Sequence, residues 1–522
     1  MGGHIFTLTQ TTSLLYKKKW SIAKYLEMHA RHPHRIRDIH SMEWMHAGYS
    51  EGVKTVFLMS FQSLSESATT MLSILALLAP DDIPESIFIT ESFTESASLP
   101  SRLQFCEDEY EVSEIVEELV GLALVSFNAV TDRISVHRLV QSEMRFYIRE
   151  NIQSAFDDAS LLLFQEFPSQ IHGRSFRACF LQCELLIQHL YSLRDHLSSP
   201  AVLGNSLQPS VQLCRVMCDA AYYLVEKGAT KELENTISVA MDAFRSTNLI
   251  ETDALAYAHL CNSAGLEREM SGDFDSAKMF LETSRDIRCR ELPLGHEDIW
   301  VVMNNLGNLS LSIGRPDEAL RYHLICKDTV NTAVAGNLSI NINNIARAYT
   351  ALGRFSDALD HLNKSKAGVE PSFRNYYYWA GNLYLAQGNL EEATAMYKRG
   401  QEALSAGGEV LSPDMATCLY KLAVIQLRQY HIHKKEDFLS NSVEMFQEAI
   451  TIMELRKVAD CEIARASYML SLSLSIRGSD QEESRTWHEK AEKIRRKLQG
   501  DRYCADAHSE WTYDALVESW VR

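Results

Sequence analysis

In the second half of the chain, apolar positions recur at the helical period, and the helical stretches come in pairs that repeat. Asn304-Asn305-Leu306-Gly307 is followed by Gly314 seven residues on and by Ala319 five beyond that. The same frame fits Gly265, Gly272 and Ala277, then Ala346, Gly353 and Ala358, then Gly381, Gly388 and Ala393. Weaker copies start at Ala221 (with Gly228 and Leu233), at Ala423 and at Ser471, so that first positions lie 44, 42, 39, 35, 42 and 48 residues apart. A small first residue lets the first helix of a pair, helix A, approach helix B closely, and a glycine seven later ends helix A in a left-handed conformation. The small residue five further on keeps the start of helix B close. Pro316-Asp317-Glu318, Asp357 and Glu391-Glu392 supply the acids, and once the proline, that suit a first helical turn.

The segment 53–150 reads differently. Helical periodicity over 53–63 and 66–79 is closed by Pro80-Asp81-Asp82-Ile83-Pro84, and a polar loop runs to about 107. A helix is expected over 109–122, a strand over 123–127, a turn at 130–132 and a strand over 133–136 leading into a helix over 137–148. Helices followed by a two-stranded hairpin make a winged-helix-like domain. The fold class expected is therefore mainly α: this domain (51–150), a helical spacer (151–210), an α-solenoid of six to seven hairpins (211–500) and a tail (501–522), with 1–50 preceding.

Composition narrows the function. The chain has 522 residues, with 46% hydrophobic and 23% charged, which fits an ordered globular protein. With only 23 Gly and 11 Pro, long helices are favoured over a sandwich or barrel that turns every ten residues. Lys and Arg total 51 against 69 Asp and Glu, a formal charge of -18, which disfavours nucleic acid and anionic membranes as partners. Residues 108–121 carry six acids and no Lys or Arg, so a winged-helix regulator reading DNA through this helix is a poor fit. The longest apolar stretch, around 71–79, is far short of the ~20 residues that span a bilayer. No secretory signal is legible at the start, and a cytoplasmic protein is expected. Cys179/Cys183 and Cys214/Cys218 have apolar flanks and read as buried thiols rather than zinc ligands. The histidine and arginine run at 29–40 is broken by Pro33 and reads as a solvated loop. No metal, cofactor or catalytic constellation is expected.

The repeat frame resembles tetratricopeptide repeats, and the Asn-Asn-Leu-Gly wording with its period near 42 is similar to the kinesin-light-chain type. Ser60-Phe61-x-x-Leu64, Leu78-Ala79-Pro80-Asp81-Asp82-Ile83-Pro84 and Ile134-Ser135-Val136-His137-Arg138-Leu139-Val140-Gln141 resemble the winged-helix region of fungal NB-ARC or NACHT proteins with tetratricopeptide arrays, STAND-type signalling NTPases. Gly2-Gly3-His4-Ile5-Phe6-Thr7-Leu8-x-Gln10 looks like the end of their preceding helical domain, with Ile5 in place of the expected proline; 1–50 would be its remnant. The tail word Trp511-x-Tyr513-Asp514-x-Leu516-Val517 belongs to the same resemblance. Gly-x-x-x-x-Gly-Lys-Ser/Thr occurs nowhere in the chain, so no cradle for β- and γ-phosphates is present. The chain reads as a truncated or degenerate descendant, or as the partner of a separate NTPase module.

The resemblance implies a peptide ligand in a concave groove lined by helix A, gripped by asparagines. Asn262, Asn304, Asn343, Tyr378, Tyr420 and Tyr468 lie three residues before the first positions, and Asn308, Arg347 and Asn382 one after, on one helix face. Of these, Asn262, Asn304, Asn308, Asn343, Arg347, Tyr378, Asn382 and Tyr420 are the candidate partner-binding residues. The alternative is that the asparagines bridge neighbouring repeats. By the same resemblance His137, at the end of the wing strand, stands where the family senses nucleotide phosphates; otherwise it is structural. The expected function is a non-enzymatic protein-interaction scaffold or sensor. The alternative is a cargo adaptor similar to kinesin light chain, which would need an N-terminal heptad coiled coil that is not found.

Overall fold

The computed structural model describes residues 60–89, 99–174, 176–198, 207–329, 335–365, 376–456, 460–478, 481–499 and 509–517, with isolated positions elsewhere. Apart from a few of those positions, the expectations for 1–50 fall outside the described residues. The chain divides into two compact units. One comprises 1–170, 175–223 and 235–252, the other 171–174, 224–234 and 253–522.

The first unit opens with α1 (Glu66–Leu75), capped by Ser65, whose hydroxyl accepts from the Ala68 amide at 3.1 Å. It continues through β1 (Ile83–Pro84), α2 (Glu109–Gly121), β2 (Ser126–Asn128), β3 (Arg133–Ser135), α3 (Arg138–Tyr147), α4 (Ile152–Glu166) and α5 (Phe180–Ser198). The strands form an antiparallel sheet in the order β1-β3-β2, with Ile134 opposite both Ile83 and Phe127. Leu72, Leu75, Phe88, Leu119 and Ile134 are buried in its core. The wing hairpin is where the sequence places it, but three details differ. The helix expected over 66–79 stops at Leu75, because Gln141 Nε2 donates to the Leu75 and Leu78 carbonyls (2.9 and 3.0 Å) and Arg145 to that of Ala76, taking up the carbonyls a continuing helix would use. The third strand, β1, was not expected. Its Pro84 lacks an amide, which an edge strand tolerates. The strand expected from 123 begins at Ser126, because Ala123 takes a left-handed turn (φ 53°) in closing α2.

Helices α6 (Val211–Lys227) and α7 (Thr230–Ser246) follow, and the division between the units runs through both. The second unit then holds six helix pairs: α8 (Ala254–Met270) with α9 (Phe274–Glu291), α10 (Glu297–Ser312) with α11 (Pro316–Thr329), and α12 (Ala335–Ala351) with α13 (Phe355–Ser365). These continue as α14 (Tyr378–Ala386) with α15 (Leu390–Ala406), α16 (Pro413–His433) with α17 (Glu436–Leu455), and α18 (Asp460–Arg477) with α19 (Gln481–Gln499), closed by the single turn α20 (Glu510–Asp514). This is a mainly α-helical chain in which a small β-containing region precedes a solenoid of tetratricopeptide type.

The glycines of the frame explain how each pair closes. A Cβ on Gly265 would stand 2.6 Å from Leu281, one on Gly307 2.5 Å from the ring of His323, and one on Gly381 2.6 Å from the ring of Tyr397. Leu281, His323 and Tyr397 each lie sixteen residues after the small position, and Leu362 takes that place after Ala346. A large helix-B side chain thus lies flat on the bare backbone of helix A. Gly272, Gly314, Gly353 and Gly388 have φ between 71° and 77°, and the next residue's amide reaches back across the turn, as Arg315 N does to Ser310 O at 2.8 Å. Ala277, Ala319, Ala358 and Ala393 are fully buried at the start of helix B.

Candidate functional site

The A-helices present one row of polar and aromatic residues, and the members of successive repeats touch. Counting from the small first position, the residue three before it in one repeat meets the residue two before it in the next. Asn305 Nδ2 donates to Asn262 Oδ1 at 2.9 Å, and Asn344 Nδ2 to Asn304 Oδ1 at 2.7 Å. One position after the small residue a second step links repeats, Arg347 Nη1 donating to Asn308 Oδ1 at 2.9 Å, and within α12 it also donates to Asn344 Oδ1 at 2.8 Å. Three rungs of amide chemistry therefore join α8, α10 and α12.

Beyond α12 the chemistry changes while the register continues. The residue that should face Asn343 is Trp379, and the buried Asn343 Oδ1 is left without a partner. Arg347 instead lies over the Trp379 ring, 4.9 Å from its centroid. In the next step Lys421 sits 5.7 Å from the centroid of Tyr378, and after it Arg465 lies 4.3 Å from that of Tyr420. Asn382 faces its own hairpin, where Tyr397 Oη donates to Asn382 Oδ1 at 2.7 Å. The row ends at α20, with Tyr513 stacked on Tyr468 at 4.2 Å and Arg465 Nη1 3.4 Å from Asp514 Oδ1.

The expected groove residues other than Asn382, which turns to its own hairpin, are thus brought into one row, but none is free surface. Asn262, Asn304, Asn308, Asn343, Tyr378 and Tyr420 are buried, and Arg347 and Asn382 half-buried. Among the described residues no group accepts from the Nδ2 atoms of Asn262, Asn304 and Asn308, whose oxygens alone are used. Burial pushes the Lys421 ammonium down to about 7, with the neighbouring Arg465 charge acting in the same direction, and burial raises the Tyr378 phenol to about 12.

His137 lies apart from this row, exposed at the start of α3, where its Nδ1 accepts from the Leu139 amide at 3.2 Å as the helix cap. His172, His296 and Asp298 bring three donors of metal-binding type within 4.8 Å of one another. His296 Nδ1 is already taken by the Asp298 amide at 3.2 Å, capping α10, and His172 Nδ1 lies 3.1 Å from the Asp298 carboxylate, so the contacts are those of a helix terminus. No helix among the described residues is long and apolar enough to cross a membrane.

Residues 59–151 match a domain of unknown function (DUF7779), and 375–403 match the tetratricopeptide repeat family. Among solved structures, the chain is similar to a signal transduction ATPase with numerous domains (STAND) carrying a tetratricopeptide repeat sensor, from Pyrococcus horikoshii. That likeness has 13% identity and a TM-score of 0.41 over 87% of this chain, which spans 62% of the length of that protein. It is similar to aspartyl phosphate phosphatase F from Bacillus subtilis at 12% identity, TM-score 0.41, over 70% of this chain and 95% of that one. A Rap conjugation gene regulator of the plasmid pLS20, in complex with the Phr* peptide, is similar at 14% identity, TM-score 0.37, over 70% and 96%. No curated protein matches the chain. Similarity at this level brings no function to this chain.

Proposed function

We propose that the chain is a protein-interaction scaffold or sensor that holds an extended peptide segment of a partner along its row of A-helix side chains. The observation that carries this reading is the amide ladder itself. Asparagines are poor helix formers, yet here they recur in register on three successive A-helices, and Asn262, Asn304 and Asn308 each spend the side-chain oxygen on the next repeat. The Nδ2 donors of Asn262, Asn304, Asn308 and Asn343 remain to meet the carbonyls of an extended backbone. The chain would work without nucleotide hydrolysis of its own, because the sequence has no phosphate loop. A separate NTPase module is a proposed partner. The words shared with fungal NB-ARC and NACHT proteins and the three-stranded wing support descent from a STAND receptor, with 51–150 as its winged-helix-like domain. His137, as a helix cap, is assigned a structural role.

Asn343→Ala tests the reading cleanly, since this side chain makes no bond within the described residues. The variant is expected to melt like the wild type, and a partner isolated with the full chain should bind it more weakly by about 1–2 kcal/mol, roughly 5- to 30-fold. Unchanged affinity in titration calorimetry would remove the row as the binding surface.

A further inference from the structure

The C-terminal end of the row carries two buried cations with too little negative charge around them. Arg465 is 1% exposed, and its Nε and Nη2 have no hydrogen-bond partner. Glu462 acts on it only at a distance, and Asp514, the carboxylate that pairs with it, reaches Nη1 with a single oxygen at 3.4 Å, whereas a well-placed carboxylate engages a guanidinium through two oxygens at about 2.7–2.9 Å. Lys421 is 8% exposed and has no ion pair among the described residues; Asp514 acts on both cations and Glu510 on Lys421, while the Arg465 and Arg428 charges act against Lys421. Tyr378 and Tyr420 line the site, each with its ring against one of the cations.

Over this centre lies the single turn α20, Glu510–Asp514, which is too short to be helical alone and is anchored by the buried Tyr513 and Val517, with Tyr513 stacked on Tyr468 and its hydroxyl donating to Glu492. Trp511, in the same turn, is left 76% exposed.

We propose that Arg465 and Lys421 form a carboxylate-recognition centre for an acidic peptide of a partner, and that the tail segment 509–517 occupies it as an internal stand-in through Asp514. This rests on the reading of the row as a peptide-binding surface and names the chemistry of its C-terminal end. A partner peptide with an acidic residue beside an aromatic one displaces the tail by giving Arg465 the two-oxygen contact that Asp514 does not make. The tail, tethered at millimolar effective concentration, sets the threshold that the partner must exceed.

The test uses a fluorescently labelled synthetic peptide of residues 507–522 and the full chain, read by fluorescence polarisation. The wild type should bind the probe weakly, because its own tail competes. Asp514→Asn in the chain should tighten binding at least tenfold. A probe carrying the same substitution should lose that gain, and so should the chain variant combining Asp514→Asn with Arg465→Met. In the unaltered chain, excess probe should speed hydrogen exchange at the amides of 512–517. This readout stands even if the double variant folds poorly. Equal affinity of wild type and Asp514→Asn, equal binding of the two probes, or unchanged exchange would each overturn the proposal. None of these results depends on Asn343, so failure here leaves the partner-affinity test of the row to succeed or fail separately.

Discussion

The two halves of the A-helix row carry opposite chemistry. From α8 to α12 two rungs pair neutral amides and the third joins the Asn308 amide to the Arg347 guanidinium. From α14 to α18 they are cations on aromatic rings, with charge that burial penalises and, among the described residues, a single ion pair, to the half-exposed Asp514. A satisfied amide rung stabilises the stack, so any recognition it performs uses its leftover donors. A buried cation without a matched anion opposes folding, so its persistence has to be sought in binding. The difference teaches where stability and recognition separate along a surface that looks continuous, and it can be broken or sharpened by substitution.

The largest effect is expected under the amide half. Gly307→Leu would drive a side chain into the His323 ring, which already lies 2.5 Å from the place of a Cβ. The cost should be about 3 kcal/mol and spread to the adjacent repeats, since each contacts only its neighbours. A denaturant melt with an unchanged midpoint would mean the helices do not meet there.

His323 and Lys421 place opposite pH signatures in the two halves. Burial pushes the His323 imidazole down to about 3, below the ordinary 6.5, so the unfolded chain takes up its proton first. The stability tied to neutral His323 is fully present above about 6.5 and declines as pH falls towards 3, by about 2 kcal/mol at pH 5. His323→Leu, which copies Leu281 and Leu362 in the neighbouring repeats, should remove that part of the acid sensitivity. His189 and His196, both lowered to about 4 by burial, leave the remainder. Melts at pH 5 and 7 that show equal acid loss in variant and wild type would sink this assignment.

Lys421 acts the other way. Its folded-state value near 7 lies below the ordinary 10.5, so the penalty of burying its charge is full below about pH 7 and fades as pH rises towards 10.5. Lys421→Met should therefore raise stability by about 1–2 kcal/mol at neutral pH, and the gain should vanish by pH 10.5. A loss of stability at pH 7 would show instead that the cation half is held together by its charges.

Much of this was legible in the sequence where the backbone dictates the residue. Gly272, Gly314, Gly353 and Gly388 take left-handed turns that few other residues enter, and Gly307 and Gly381 lie under rings, so the repeat frame could be read from the spacing of small residues alone. The row was half legible. Positions three before and one after the small residue stand out by their asparagines, but the partners two before it, Asn305, Asn344, Trp379 and Lys421, have no common chemistry to mark them as one column. The doubled Asn304-Asn305 and Asn343-Asn344 were the available signal. Arg465 lies outside that spacing, and it pairs with a tail whose docking no periodicity encodes. β1 was illegible because two residues, one a proline, cannot display alternation.

The smallest effect tests the amide rung itself. Asn304→Ala removes the acceptor of a 2.7 Å bond and leaves Asn344 Nδ2 seeking another, while Asn344 Oδ1 keeps its bond from Arg347. The expected cost is about 1 kcal/mol. Asn344→Ala should cost somewhat more, because it breaks both bonds. If the rung is a bond between repeats, the double variant should cost less than the two single losses added together, with a coupling of about 0.5–1 kcal/mol in a double-mutant cycle. The corresponding cycle on Tyr378 and Lys421 should give a smaller coupling, since a 5.7 Å cation–ring contact is loose and its cation is half neutral at pH 7. Equal couplings in the two halves would erase the distinction between a rung that joins repeats and one that awaits a ligand.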